Sequence, residues 1–143
     1  MKTGIKVMNA MTRTPISTTP NKTIVDCTHL MLDKKVGSLL IKEGETLLGI
    51  LTERDLVEMI SLGINPKTTQ VNQIMSKEIT TISPEKDIHD AISLMNEKNL
   101  RRLPVLLNNR IIGLITLRDI LTLQPALFEL ILDRVNIDKY QRM

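Results

Sequence analysis

The chain has 143 residues, 42% of them apolar and 24% charged, and a formal net charge of +3. That usage is ordinary for a globular domain and excludes a disordered tail, a collagen-like rod and a disulfide scaffold. Cys27 is the one cysteine, so no internal disulfide forms and a reducing, intracellular compartment fits best. No apolar run approaches the ~18 residues of a membrane span, and the first residues carry no signal-peptide pattern. The expectation is a soluble, cytoplasmic protein whose core is aliphatic, because Phe128 and Tyr140 are its only aromatic residues.

In chain order, a short strand is predicted near Ile16–Thr18, followed by a turn at Pro20. A helix comes next, with Thr23 as N-cap and Asp26 three residues on. Ile24, Cys27 and Met31 form its buried stripe at helical spacing. Two strands are expected at Ser38–Ile41 and Leu47–Thr52, turning at Glu43-Gly44-Glu45. A second helix starts at Thr52 and stops at Gly63, and Ser61–Gln70 is a connection. The same order then returns. A strand at Thr80–Ile82, a turn at Pro84 and a helix capped by Asp87 and Asp90 bury Ile88, Ala91, Ile92 and Met95. Strands at Leu103–Leu107 and Ile111–Thr116 turn at Asn108-Asn109, and a helix runs from Thr116 to before Pro125. Ala126–Met143 is expected to be a further amphipathic helix.

The return is a duplication. Shifted by 64 residues, Val7–Leu56 lies on Val71–Ile120 without a gap, and fourteen of the fifty pairs are identical. They include Met11/Met75, Pro20/Pro84, Lys22/Lys86, Gly49/Gly113, Thr52/Thr116, Arg54/Arg118 and Asp55/Asp119. The fold class is therefore α+β, a β-α-β-β-α unit twice, spanning 7–62 and 71–124, with 125–143 as a helical extension. A ~60-residue half is marginal alone, so the copies are expected to pack as one unit about a pseudo-twofold axis.

The constellation richest in chemistry ends each third strand: Gly49-Ile50-Leu51-Thr52-Glu53-Arg54-Asp55 and Gly113-Leu114-Ile115-Thr116-Leu117-Arg118-Asp119. The strand delivers Thr to a helix start, where backbone N–H groups and the helix dipole favour an anion. The Thr hydroxyl adds a donor and Arg54 or Arg118 can clamp a phosphate. Asp55 or Asp119 can accept both hydroxyls of a vicinal diol such as a ribose. The competing reading is plain: Thr-x-x-Asp is also a helix cap, as Thr23-x-x-Asp26 is taken to be. The strand-end position, the interposed Arg and the identity of the polar residues in both copies bring the ligand reading level with the cap reading.

Arg101 and Arg102, just ahead of a buried strand, are the second candidate for phosphate. A solvated charge pair is the alternative. The first copy holds Gly37 and Ser38 there, so the halves differ chemically. His29 and His89 do not align and have no partner at metal spacing, and Cys27 reads as a small buried hydrophobe. No nucleophile stands beside a base, and no P-loop or dinucleotide fingerprint occurs.

Together, the duplicated pattern, Met75–Pro84, Arg101-Arg102-Leu103-Pro104-Val105 and Gly113–Asp119 resemble a tandem pair of cystathionine-β-synthase (CBS) domains, a Bateman module. The resemblance covers about Lys6 to Gln124. It implies adenosine-containing ligands (AMP, ADP, ATP or S-adenosylmethionine) in clefts between the repeats, with regulation of an attached or partner protein. Ribose binding is implied for Asp55 and Asp119, and phosphate contacts for Thr52, Thr116, Arg101 and Arg102. Arg54 and Arg118 stand where some relatives have Ser. The adenine positions are implied to be Thr14, Pro15, Ile16, Val36 and Gly37, with Ile79, Thr80 and Leu100 in the other half.

The function expected is a stand-alone sensor with no catalytic residue, metal or required cofactor. A homodimer is expected through Leu56, Val57 and Ile60 and through Ile120, Leu121 and Leu123. Because the 143 residues carry no attached enzyme, channel or DNA-binding domain, the output is expected to reach a separate protein partner. Two alternatives stand: an adaptor with degenerate clefts, and a nucleic-acid binder suggested by the pI of about 9.1 but lacking aromatic residues for base stacking.

Overall fold

Each repeat opens on a short turn whose valine is fully buried, α1 (Val7–Ala10) in the first copy and a 3-10 turn (Val71–Gln73) in the second. The first copy continues with β1 (Ser17–Thr18), α2 (Ile24–Lys34), β2 (Ser38–Glu43), β3 (Thr46–Thr52) and α3 (Glu53–Ser61). The second continues with α4 (Ile88–Lys98), β4 (Arg102–Leu107), β5 (Arg110–Thr116) and α5 (Leu117–Leu123). This computed structural model describes residues 2–127. The expected helix over Ala126–Met143 therefore lies almost wholly outside the described residues, and Pro125–Leu127 is a 3-10 turn. No described helix is long and apolar enough to cross a membrane.

Packing sorts the chain into two compact units that do not coincide with the repeats. One, here the Asp55 unit, is Pro15–Ile79 with Asn109–Ile111. The other, the Asp119 unit, joins residues 2–14 to Thr80–Asn108 and 112–127. The leading segment of each repeat thus belongs to the body of the other repeat.

The two leading segments dock by matching main-chain bonds. In the Asp119 unit, Val7 N donates to Lys86 O at 2.8 Å and Met8 N to Pro84 O at 3.1 Å. In the Asp55 unit, Val71 N donates to Lys22 O at 2.8 Å and Asn72 N to Pro20 O at 3.2 Å. Thr12 then pairs antiparallel with Leu114, as Ser76 does with Ile50. The methionine before each crosses a glycine: a Cβ on Gly113 would lie 2.5 Å from Met11 Sδ, and one on Gly49 2.5 Å from Met75 Sδ. A side chain there would force the methionine or the segment itself to move.

The Asp55 unit holds a three-stranded sheet in the order β1-β2-β3. β1 runs parallel to β2 with Ser17 opposite Leu40, and β2 runs antiparallel to β3 with Ser38 opposite Thr52. β4 and β5 form a two-stranded sheet. The strand expected at Thr80–Ile82 is reduced to one parallel bridge between Ile82 and Val105. Pro104 is the reason. Its counterpart Leu40 donates its N–H to Ile16 O at 3.1 Å, a bond proline cannot make, so the ladder keeps only Ile82 N to Pro104 O and Leu106 N to Ile82 O.

The helices bury the stripes their spacing predicts: Ile24, Cys27 and Met31 on α2, and Ile88, Ala91, Ile92 and Met95 on α4. Each ends on a left-handed residue, Lys35 or Asn99, at φ 56°. The caps differ. Asp87 and Asp90 complete a reciprocal capping box, whereas Thr23 accepts from Asp26 N without the return bond. Aliphatic and methionine side chains fill both cores, centred on Ile24, Leu39, Leu51 and Met59 in one unit and on Val7, Ile92, Leu103 and Ile115 in the other.

Candidate functional site

In the Asp55 unit, β3 ends at Thr52 and turns directly into α3, so Thr52 is the N-cap and Asp55 the third helical residue. Asp55 N donates to Thr52 Oγ1 at 3.3 Å, and Thr52 N donates to Asp55 Oδ2 at 2.8 Å. The Thr52 hydroxyl also donates to Asp55 Oδ2 at 3.1 Å. The cap reading of Thr-x-x-Asp is therefore correct here. It does not exclude a ligand, because the cap fixes the carboxylate while leaving it half-buried. Gly37 joins the same corner, its carbonyl accepting Glu53 N at 3.2 Å. Ile16 lies alongside through its carbonyl bond to Leu40 N, and Val36 N bonds back to Met31 O at 3.0 Å.

The Asp119 unit repeats the corner with different chemistry. Asp119 N donates to Thr116 Oγ1 at 3.0 Å and Thr116 N donates to Asp119 Oδ2 at 3.1 Å. The Asp119 carboxylate takes no other hydrogen bond from the described residues. Arg101 stands where Gly37 does: its carbonyl accepts Leu117 N at 3.0 Å, while its side chain is exposed. Arg102 opens β4 half-buried and is engaged in an interaction of its own.

The remaining candidates divide between the units. Pro15, Ile16, Val36, Gly37 and Ile79 belong with Asp55, and Thr14, Thr80 and Leu100 with Asp119. Consecutive sequence neighbours Thr14 and Pro15 thus fall in different units. Arg54 is exposed and paired along α3 with Glu58, Nε to Oε1 at 3.2 Å, so its guanidinium turns along the helix surface. Arg118 is exposed. Cys27 is 1% exposed and burial pushes its thiol up to about 11, in keeping with a packing role. No group of acidic, His or Cys side chains able to hold a metal occurs among the described residues.

One participant escaped the sequence reading. Ser76 Oγ donates to Asp55 Oδ1 at 3.2 Å. The duplication held the signal, since Ser76 aligns with Thr12, a second hydroxyl one residue past the Met11/Met75 pair.

A family model for the CBS domain matches residues 6–62 and again 71–125. The chain belongs to the CBS-domain family. Its two matches make it a tandem CBS pair. It is 35% identical over 127 residues to an uncharacterized protein of Methanopyrus kandleri, covering 87% of this chain and 65% of that one. It is 32% identical over 114 residues to the CBS domain-containing protein YhcV of Bacillus subtilis, covering 80% and 81%. Among solved structures, the CBS domain protein NE2398 superposes with a TM-score of 0.78 at 29% identity, covering 82% of this chain and 95% of that one. The CBS domain pair of MJ0100, solved with 5′-methylthioadenosine and S-adenosyl-L-methionine, gives a TM-score of 0.75 at 21% identity over 83% of this chain and 98% of that one. That last likeness carries the fold alone.

Proposed function

We propose that this tandem CBS pair is a cytoplasmic regulatory module that binds an adenosine-containing ligand, AMP, ADP, ATP or S-adenosylmethionine, and signals to a separate protein without turning the ligand over. The observation that carries the reading is the Asp119 carboxylate. One oxygen is tied by Thr116 N, and the rest of its accepting capacity is unused among the described residues. A carboxylate held in that state accepts the two hydroxyls of a ribose. The Thr116 hydroxyl accepts from Asp119 N and keeps its own proton to donate to a phosphate. Arg101 and Arg102 supply charge beside it, with Arg118 further along the exposed face. In the other unit Asp55 takes the ribose role and Arg54 the phosphate role, with less charge at hand, because the Thr52 hydroxyl already donates to Asp55 Oδ2. Adenine contacts fall to Pro15, Ile16, Val36, Gly37 and Ile79 in the Asp55 unit and to Thr14, Thr80 and Leu100 in the Asp119 unit.

The protein acts as a homodimer in this proposal. α3 exposes Val57 (67%) and Ile60 (72%), which suit burial against a second copy. Leu56, Ile120 and Leu121 pack into or against their own cores instead, which narrows the face expected from sequence.

Calorimetric titration of ATP, AMP and adenosine tests the reading, backed by melting-temperature shifts with each ligand. Two unequal sites are expected, the tighter one lost in Asp119→Ala. Arg101→Ala keeps the Leu117–Arg101 main-chain bond and should weaken ATP roughly 10- to 150-fold, with adenosine little affected. Absence of binding and of any melting shift would favour an adaptor that works through protein contacts alone.

A further inference from the structure

We infer that Ser76 sets the ribose affinity of the Asp55 site by holding the carboxylate oxygen that a second ligand hydroxyl needs. This rests on the adenosine reading and adds a determinant to it.

An ionised carboxylate offers about four acceptor positions. At Asp55, Thr52 N and the Thr52 hydroxyl take two on Oδ2, and Ser76 Oγ takes one on Oδ1. One position is left, enough for a single hydroxyl and short of a vicinal diol. At Asp119, Thr116 N takes one, and three remain unused among the described residues. One of the two differences is the Thr52 hydroxyl, and the other arises from the leading segments. Ser76 is half-buried and reaches Asp55, whereas Thr12, its counterpart, is exposed and gives Asp119 no hydrogen bond.

Ser76 is the donor that can let go. Its main chain is fixed by Ser76 N to Ile50 O at 2.9 Å and Ile50 N to Ser76 O at 3.0 Å, so rotation about χ1 alone removes the hydroxyl. The Thr52 hydroxyl, by contrast, donates to the other oxygen, Oδ2, and is oriented there by the bond it accepts from Asp55 N. A diol must therefore displace the Ser76 hydroxyl, and a ligand with one ribose hydroxyl need not. The Asp55 site should discriminate poorly between ribose and deoxyribose, and the Asp119 site strongly.

The test titrates AMP and 2′-deoxyAMP calorimetrically into the full chain carrying Asp119→Asn, with and without Ser76→Ala. The alanine keeps both main-chain bonds to Ile50, and melting curves check that both proteins fold. Losing one competing hydrogen bond should strengthen AMP binding roughly 2- to 12-fold and leave 2′-deoxyAMP unchanged. Ser76→Cys, with a weaker donor, should shift AMP in the same direction by less. No gain for AMP, or an equal gain for both nucleotides, overturns the role of Ser76. If AMP binds neither these proteins nor the wild type, the adenosine reading itself falls, and this inference with it.

Discussion

The Asp87 carboxylate takes hold of Thr3 by both of that residue's donors, the backbone N–H at 3.0 and 3.1 Å and the hydroxyl at 2.8 Å. Gly4 N at 2.9 Å and His89 N at 2.9 Å complete the set, so one side chain both caps α4 and ties the leading segment to it. The neighbouring Asp90 accepts Asp87 N at 3.3 Å and pairs with Lys2 at 2.9 Å.

That arrangement predicts a pH dependence. Burial is the largest single influence on Asp87 and opposes its charge, but the donors from His89, Thr3 and Gly4 together outweigh it and hold the group at about 2, against 3.8 unperturbed. A depressed carboxylate stabilises the fold above its unfolded value and loses that contribution as pH falls through its folded one. The difference amounts to about 2 kcal/mol. Urea unfolding should find Asp87→Ala weaker than wild type by at least that much at pH 7. The part of the gap due to ionisation should shrink between pH 4 and pH 2. A gap independent of pH would mean the carboxylate contributes only as a cap.

The glycines under the leading segments predict a size limit. A Cβ at Gly113 meets Thr12 O at 2.8 Å as well as Met11 Sδ, while at Gly49 the backbone oxygen of Ser76 is 3.0 Å away. Gly113→Ala should cost about 1–3 kcal/mol by thermal melting, and Gly49→Ala less, because a methionine side chain yields more easily than a carbonyl. Adding Met75→Ala to Gly49→Ala should give less than the sum of the two single losses.

Cys27 should be chemically silent in the folded protein. With its thiol pushed up to about 11 by burial, only about one molecule in a thousand carries thiolate at pH 8. A thiol reagent at that pH should react slowly with native protein and rapidly in denaturant. Fast reaction of the native form would contradict the packing role.

The proposed homodimer has its own check. Light scattering at high micromolar concentration should give twice the chain mass for wild type and the single mass for Ile60→Glu. Ile60 is 72% exposed, so the substitution should leave the folded monomer's stability nearly unchanged.

Much of this architecture was legible as pattern. Apolar spacing marked the buried stripes of α2 and α4, and Asn108 and Asn109, both at positive φ, turned β4 into β5 where the sequence put them. Thr52-x-x-Asp55 and Thr116-x-x-Asp119 read as both cap and ligand group, and the bonds of the first role are present in both. The strand expected at Thr80–Ile82 shrinks to a single bridge at Ile82. A strand needs its neighbour's N–H groups as much as its own propensity, and that neighbour holds Pro104.

The sequence by itself determined the duplication, the caps and the family, because each is written in spacing along one segment. Only the tertiary structure decided that residues 2–14 pack with Thr80–Asn108, that Met11 and Met75 lie over Gly113 and Gly49, and that Ser76 reaches Asp55 while Thr12 does not reach Asp119. These depend on which distant backbones come within hydrogen-bonding or van der Waals distance. Such long-range closure leaves no period in the chain, only an unexplained identity or a small difference between two aligned residues.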